Sequence, residues 1–379
     1  MPAQIALNLL AIDPKRQIGV EAFVLRVVGG IKLPKEATIH VALQRHASVK
    51  DVLGGRFVEE NPKFRCAKFR IRGMLKRIFI DMFGLGLLFF FSDVVLSVNN
   101  FGPLFGKRGQ RRIIVVHDVW FIDEGYEGPW WKKFAYLYLM KLQARRSHQV
   151  VTVSEFSKSA IMRTLAVPSD RIKVVKNCLD SRVATISLNS FSHSKSQDLS
   201  KTSEKPYVLL IGSDRPNKNV RRVVKAYGQF ILSEPSGPLI RIVGVYSSRF
   251  IDECRSSYPF NYQHKLVFDG YVERERYECL IEGSIGIIFA SLYEGFGIPV
   301  VEAISKGKNC VVSKGTVCAE IADYAGIQVD GLEVDDIERG VRDLIDRETS
   351  LTSDDVDKIV GEFMDCEKQS RKLEKLIRT

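Results

Sequence analysis

Short apolar, β-branched runs recur along most of the 379 residues, each set off from the next by a helix-length segment. In the first half they are "QIALNLLAI", "TIHVALQ", "DVVLSV", "RIIVVHD", "QVVTVS" and "IKVVKN". In the second they are "KPYVLLIG", "LIRIVG", "KLVFDGY", "IGIIFA", "KNCVVS" and "IQVD". Strands that alternate with helices imply βαβ units and a parallel sheet. The runs lack strict alternation, as expected of strands covered on both faces. Between Ile186 and Lys205 the pattern breaks at "ISLNSFSHSKSQDLSKTSEK", a Ser- and Lys-rich stretch without apolar period that reads as a linker or long loop. A chain of this length exceeds one ordinary core. The expectation is therefore an α/β protein of two Rossmann-like domains. An N-terminal domain spans 1–185, a linker 186–205 and a C-terminal domain 206–355. A charged helix or helix pair over 356–379 packs back on the N-terminal domain.

The most apolar stretch, Ile78 to Val98, contains Asp81 and Asp93. Its uninterrupted part, Met82 to Phe91, falls short of the ~20 residues a membrane-spanning helix needs, so it reads as a buried helix running into a strand. The opening residues lack a basic start and a cleavage site, and read as a strand rather than a signal peptide. Seven scattered cysteines without a Cys-x-x-Cys argue against a zinc site and against a disulfide framework, and fit a reducing compartment. That points to the cytoplasm. A net charge of +11 favours acidic partners: nucleic acid, anionic membrane or phosphorylated substrates.

The stretch most suggestive of chemistry is "SLYEGFGIPVVEA", residues 291–303. A strand ends at Ser291 and a helix starts with Pro299 near its first position. Gly295, Phe296 and Gly297 therefore occupy the carboxyl edge of a parallel sheet, where open α/β folds bind ligands. Glycines permit close approach, and the amides at a helix start attract phosphate. Glu302, one turn inside the helix, can reach a ribose hydroxyl; Glu294 faces the group beyond the phosphates. The plainer alternative makes Glu302 a partner of the helix dipole and Glu294 a solvated acid. The order E-G-F-G-I-P after a buried strand favours function.

"EGFGIPVVEA" resembles the E-x7-E signature of the retaining GT-B glycosyltransferases of family 4. Several pieces in family order share the likeness: "VVTVSEFSKSAI", "GSDRPNKNVRRVVKAY", "FDGYVERERYECLI", "KGTVCAEIADYAGIQVD" and "FMDCEKQSRKL". The resemblance is closest to mannosyltransferase-like members that assemble bacterial surface polysaccharides. It implies two parallel-sheet domains facing across a cleft and hexosyl transfer from a nucleotide diphosphate sugar to a lipid-linked or oligosaccharide acceptor. It further implies domain closure that excludes water. In the family's phosphate turn, usually Pro-Arg-Lys-Asn, both cations touch the diphosphate. Here Lys218 carries over, Asn217 stands where arginine is expected, and Arg215 is the substitute. Fixed cations stabilise departure of the diphosphate. No Asp-x-Asp pair with neighbouring carboxylates is present, so neither a metal nor another cofactor is required.

His117 and Asp118 end the strand-like "RIIVVHDVWF". The resemblance places His117 opposite the donor sugar, with Asp118 orienting it or accepting a proton. Gly19 resembles the family's glycine turn facing the diphosphate. The basic run "KFRCAKFRIRGMLKR", with "GKRGQRR" and "GPWWKKFAYLYL", reads as a solvated face, a nucleic-acid surface or an anionic-membrane surface bearing Trp130 and Trp131. No nucleic-acid motif is present, so the membrane reading is preferred, as a peripheral association on the inner face. The rival to the enzyme is a non-catalytic basic protein holding nucleic acid or an anionic membrane.

Overall fold

The computed structural model describes residues 3–14, 19–61, 63–119, 129–179, 205–322, 325–347, 351–363 and 365–378. The stretch read as a linker lies outside them, apart from Lys205. The chain divides into two compact units, Met1–Leu179 with Asp365–Thr379, and Asp180–Met364.

In unit 1 the strands are β1 Gln4–Asn8, β2 Thr38–Gln44, β3 Phe64–Phe69, β4 Val94–Ser97, β5 Arg111–Val115, β6 Gln149–Thr152 and β7 Ile172–Val174. They form a parallel sheet in the order β3-β2-β1-β4-β5-β6-β7. Its helices are α1 Val20–Phe23, α2 Val49–Leu53, α3 Gly55–Glu60, α4 Met74–Phe79, α5 Leu85–Leu88, α6 Trp130–Arg146 and α7 Glu155–Leu165. Wider π turns extend α1 through Val24–Val28 and join α4 to α5 through Ile80–Gly84.

Unit 2 repeats the architecture with β8 Tyr207–Ile211, β9 Leu239–Val243, β10 Leu266–Gly270, β11 Ile287–Phe289, β12 Cys310–Ser313 and β13 Gly326–Val329. These too are parallel, in the order β10-β9-β8-β11-β12-β13. The helices are α8 Val220–Ser233, α9 Ser248–Ser257, α10 Arg274–Gly283, α11 Ile298–Ser305, α12 Val317–Ile321, α13 Val334–Asp346 and α14 Ser353–Phe363. Central strands β11 and β12 are buried throughout, as burial on both faces demands. Tyr227, Phe230 and Ile231 of α8 pack with Val341 and Leu344 of α13 in one core cluster.

The last helix, α15 Cys366–Arg378, belongs to unit 1. Arg111 donates to the carbonyl of Leu376 at 2.7 Å, and Ser370 to that of Val27 at 2.8 Å. Helix α14, by contrast, belongs to unit 2.

Three features depart from the sequence reading. The basic run after Lys63 contains an edge strand, β3, whose partner is β2. The apolar helix before β4 is buried on one side only: Leu75, Phe79, Phe83 and Leu87 are exposed. Cys178 and Cys366, 188 residues apart, form a disulfide that ties α15 to the end of the first unit. This corrects the expectation drawn from scattered cysteines and removes its support for a reducing compartment. No helix among the described residues is long and apolar enough to cross a membrane.

Candidate functional site

The strand order of unit 2 reverses between β8 and β11, the position at which open α/β sheets bind ligands. The loop after β8 ends in a short 3-10 turn, Pro216–Lys218, before α8. The loop after β11 carries Ser291 to Gly297 into α11. Asn219, in the left-handed region at φ 59°, fastens them: its amide donates to Ala290 O at 3.1 Å and to Gly331 O at 2.6 Å. Leu292 N donates to Asn217 O at 2.8 Å, and Asn217 Nδ2 to Tyr293 O at 3.1 Å. Asn217, standing where a cation was expected, is thus a loop fastener.

These fastenings bring Lys218 and Glu294 together. Lys218 Nζ donates to Glu294 Oε1 at 2.5 Å, and Ser291 Oγ donates to the same oxygen at 2.7 Å. The lysine also lies over the Phe289 ring, 5.3 Å from its centroid. Both side chains keep some exposure, 22% and 15%, so the ions are neither fully solvated nor sealed. Arg215, at the start of the 3-10 turn, is exposed.

Gly297 caps α11 at φ +88°, and a Cβ there would sit 2.8 Å from Cys318 Sγ. Conformation and space both require glycine. Phe296 points into the unit and meets the Phe363 ring of α14 edge-on at 5.6 Å. It anchors the turn, leaving only its backbone for a ligand.

Glu302 has a different set of partners from Glu294. It is buried, and its Oε1 accepts from Arg274 Nη1 at 2.6 Å. Tyr277, one turn further along α10, also bonds the carboxylate. Burial and the Glu302 charge hold its phenol well above its usual pKa, so it remains a donor. Arg274 and Tyr277 were not singled out in the sequence. Their only local signal is the i, i+4 pair of Arg274 with Glu278, which says nothing of Glu302.

In unit 1, His117 follows β5 and is buried, with its ring edge-on to Phe23 at 5.2 Å. Nε2 bonds Val98 O at 3.0 Å; since a carbonyl only accepts, Nε2 carries the proton and Nδ1 is the free acceptor. Burial pushes the imidazole down to about 4, so it is neutral at pH 7. Asp118 is half-buried and raises the pKa of Tyr136, whose main perturbation is burial. Near the end of β1, Asn8 Nδ2 donates to Asp81 Oδ1 at 2.9 Å. Burial pushes this carboxyl up to about 7, against the pull of Asn8 and Arg77. Gly19 caps α1 at φ 59°.

Residues 192–358 match the family model described as glycosyl transferases group 1, and residues 55–183 match that of glycosyltransferase family 4. Between them these two glycosyltransferase models match most of the chain, which belongs to the glycosyltransferases. The chain is 30% identical over 190 residues to O-antigen chain mannosyltransferase B of Escherichia coli, covering 50% of this chain and 49% of the relative. It is 25% identical over 229 residues to O-antigen chain mannosyltransferase RfbU of Salmonella typhimurium, covering 58% and 57%. It thus spans about half the length of these curated relatives. Among solved structures, HepE of Anabaena with UDP and glucose superposes at a TM-score of 0.68 and 14% identity, over 99% of both chains. Sucrose-phosphate synthase of Thermosynechococcus elongatus gives 0.69 at 12%, over 99% and 98%. The fold is therefore that of the GT-B glycosyltransferases.

Proposed function

We propose that the chain is a retaining hexosyltransferase that moves a hexosyl group, mannosyl favoured, from a nucleotide diphosphate sugar to a lipid-linked or oligosaccharide acceptor. The observation that carries this reading is the Lys218–Glu294 pair at the strand-order reversal of unit 2. The mannosyl preference is supported by relatives named O-antigen chain mannosyltransferases, and a nucleotide donor by the UDP in HepE.

A diphosphate is a stronger competitor for Lys218 than one carboxylate, because it offers more charge and more acceptor oxygens. On binding it takes the ammonium, with Arg215 and the amides of Gly295 to Gly297 as further contacts. Glu294, released, accepts from hydroxyls of the sugar. Glu302 presents its remaining lone pairs to the ribose while Arg274 and Tyr277 fix its orientation. As the bond to the sugar breaks, negative charge grows on the diphosphate, and the fixed cations stabilise that state over the ground state. The leaving phosphate takes the acceptor's proton on the same face. From unit 1, His117 offers Nδ1 to a sugar hydroxyl, Asp118 helps orient the ring and Gly19 leaves room for the diphosphate. With Lys218 and Arg215 meeting the charge, turnover persists in EDTA.

The test is thermal shift and slow donor hydrolysis with GDP-, UDP- and dTDP-sugars, set against duplex DNA. One sugar nucleotide stabilises the wild type, and the shift disappears in Lys218→Ala. Tight, salt-sensitive DNA binding without a shift from any sugar nucleotide makes the chain a nucleic-acid binder instead.

A further inference from the structure

The helical run from Met74 to Leu88, with the turn that carries it to Phe91, is apolar toward both the core and the solvent. Ile78, Met82, Leu85 and Phe89 are buried, the last two in a cluster with Ala6, Leu10, Ala42 and Val95. On the outside, Leu75, Phe79, Phe83 and Leu87 repeat every fourth residue and are 74, 65, 44 and 73% exposed. Phe79 and Phe83 touch, with ring centroids 5.1 Å apart, and Leu88 and Phe91 extend the patch. On α6 of the same unit, Trp130, Phe134 and Tyr138 form a second exposed stripe of the same spacing. A helix in water has no use for a second apolar face, so such a patch marks a docking surface.

The charges around it select the partner. Between Lys63 and Ser92 there are seven cations, and the sole acid, Asp81, is buried beneath the helix. Arg65 and Lys68 on β3, then Arg70, Arg72 and Lys76, are exposed and lead straight into the stripe. At the far end, Lys107 N donates to Phe90 O at 3.1 Å, which brings exposed Arg108 alongside. A cavity of about 590 Å³, lined by Asp13, Arg45, His46, Phe69, Arg70 and Arg72, opens past the carboxyl ends of β1, β2 and β3, where the basic strand leads to the helix. Apolar side chains bordered mostly by cations, with Asp93 engaged by Lys107 and Asp13 beside His46, complement a surface that is oily inside and anionic at its rim.

We propose that residues 70–91 dock unit 1 on an anionic lipid bilayer. The stripe enters the boundary between headgroups and acyl chains, and the flanking arginines and lysines hold lipid phosphates. The helix lies on the membrane and does not cross it. Nothing in this surface requires a sugar donor, so it stands apart from the reading of unit 2.

The experiment is co-sedimentation of the full chain with vesicles of phosphatidylcholine, alone or with roughly one-third phosphatidylglycerol. Binding to the anionic vesicles exceeds binding to phosphatidylcholine by about tenfold, and falls by a similar factor in Phe79→Ser/Phe83→Ser and in Arg70→Glu/Arg72→Glu. The arginine pair alters only exposed side chains and keeps the test sharp if the phenylalanine pair does not fold. The thermal shift given by a sugar nucleotide is the same in both variants as in the wild type. The proposal is overturned if the wild type stays in the supernatant, if it binds both vesicles equally, or if folded variants bind as it does. It is equally overturned by a wild-type dimer that Phe79→Ser/Phe83→Ser dissociates, since the face would then belong to a second copy.

Discussion

At the carboxyl edge of the six-stranded sheet, Lys218 and Glu294 meet as ions with part of each side chain in solvent. At the same edge of the seven-stranded sheet, His117 is buried and neutral, and burial raises the pKa of Asp81 toward neutrality. One architecture therefore produces an edge suited to an anion and, beside His117 and Asp81, a stretch of edge from which charge is excluded. The difference lies in what each loop covers. Asn217 and Asn219 hold their loops by hydrogen bonds and leave the cation in reach of solvent, whereas Phe23 and the α4–α5 run close over the polar groups of unit 1.

The contrast is broken most sharply by removing charge from the ionic edge. Glu294→Ala or Lys218→Ala lowers transfer by about 10²–10³-fold, the range for loss of a group aimed at developing charge. The unfolding midpoint of either variant stays near the wild-type value. Full turnover in either would make the pair a structural feature of the loop.

Next comes Arg274→Ala, which strips a buried carboxylate of its cation. Glu302 then remains with Tyr277, at a cost of about 3 kcal/mol in urea unfolding at pH 7. Unchanged stability would mean that Glu302 takes up a proton or finds water.

In unit 1 the expected signature is a pH dependence. His117 titrates near 6.5 when unfolded and near 4 when folded, so between those values the unfolded chain binds more protons. Its contribution is complete above pH 6.5 and lost as pH falls toward 4, with a ceiling of about 3 kcal/mol. His117→Phe, read by denaturant titration across this window, flattens that slope. Asp81 works in the opposite sense. Its folded value near 7 lies above the unfolded 3.8, so its stabilisation is full below 3.8 and is lost as pH rises through 7. Asp81→Asn consequently raises stability at pH 8 by about 1–2 kcal/mol, the smallest of these effects, because Arg77 loses its partner.

The alternation of strand and helix was readable because periodicity and length are local, and the observed strands match the runs quoted above, apart from β3, with β5 and β13 starting one residue earlier. That strand was hidden by its cations, which an exposed edge strand tolerates and a central one does not. Gly297 was readable too, since a strand, a glycine turn and a proline near a helix start leave few other conformations. The pairing of Lys218 with Glu294 was only half visible: both residues stood out, but the hydrogen bond between positions 76 apart did not.

What the chain determines by itself is the kind of element at each place, since backbone preference and hydrophobic period act over a few residues. The tertiary structure alone decides which faces and groups become partners. It set Arg274 and Tyr277 on Glu302, joined Cys178 to Cys366, and left Leu75, Phe79, Phe83 and Leu87 in solvent while their neighbours were covered. The physical reason is that burial and charge pairing depend on distance in space. An apolar residue carries no mark of whether another element will arrive to cover it.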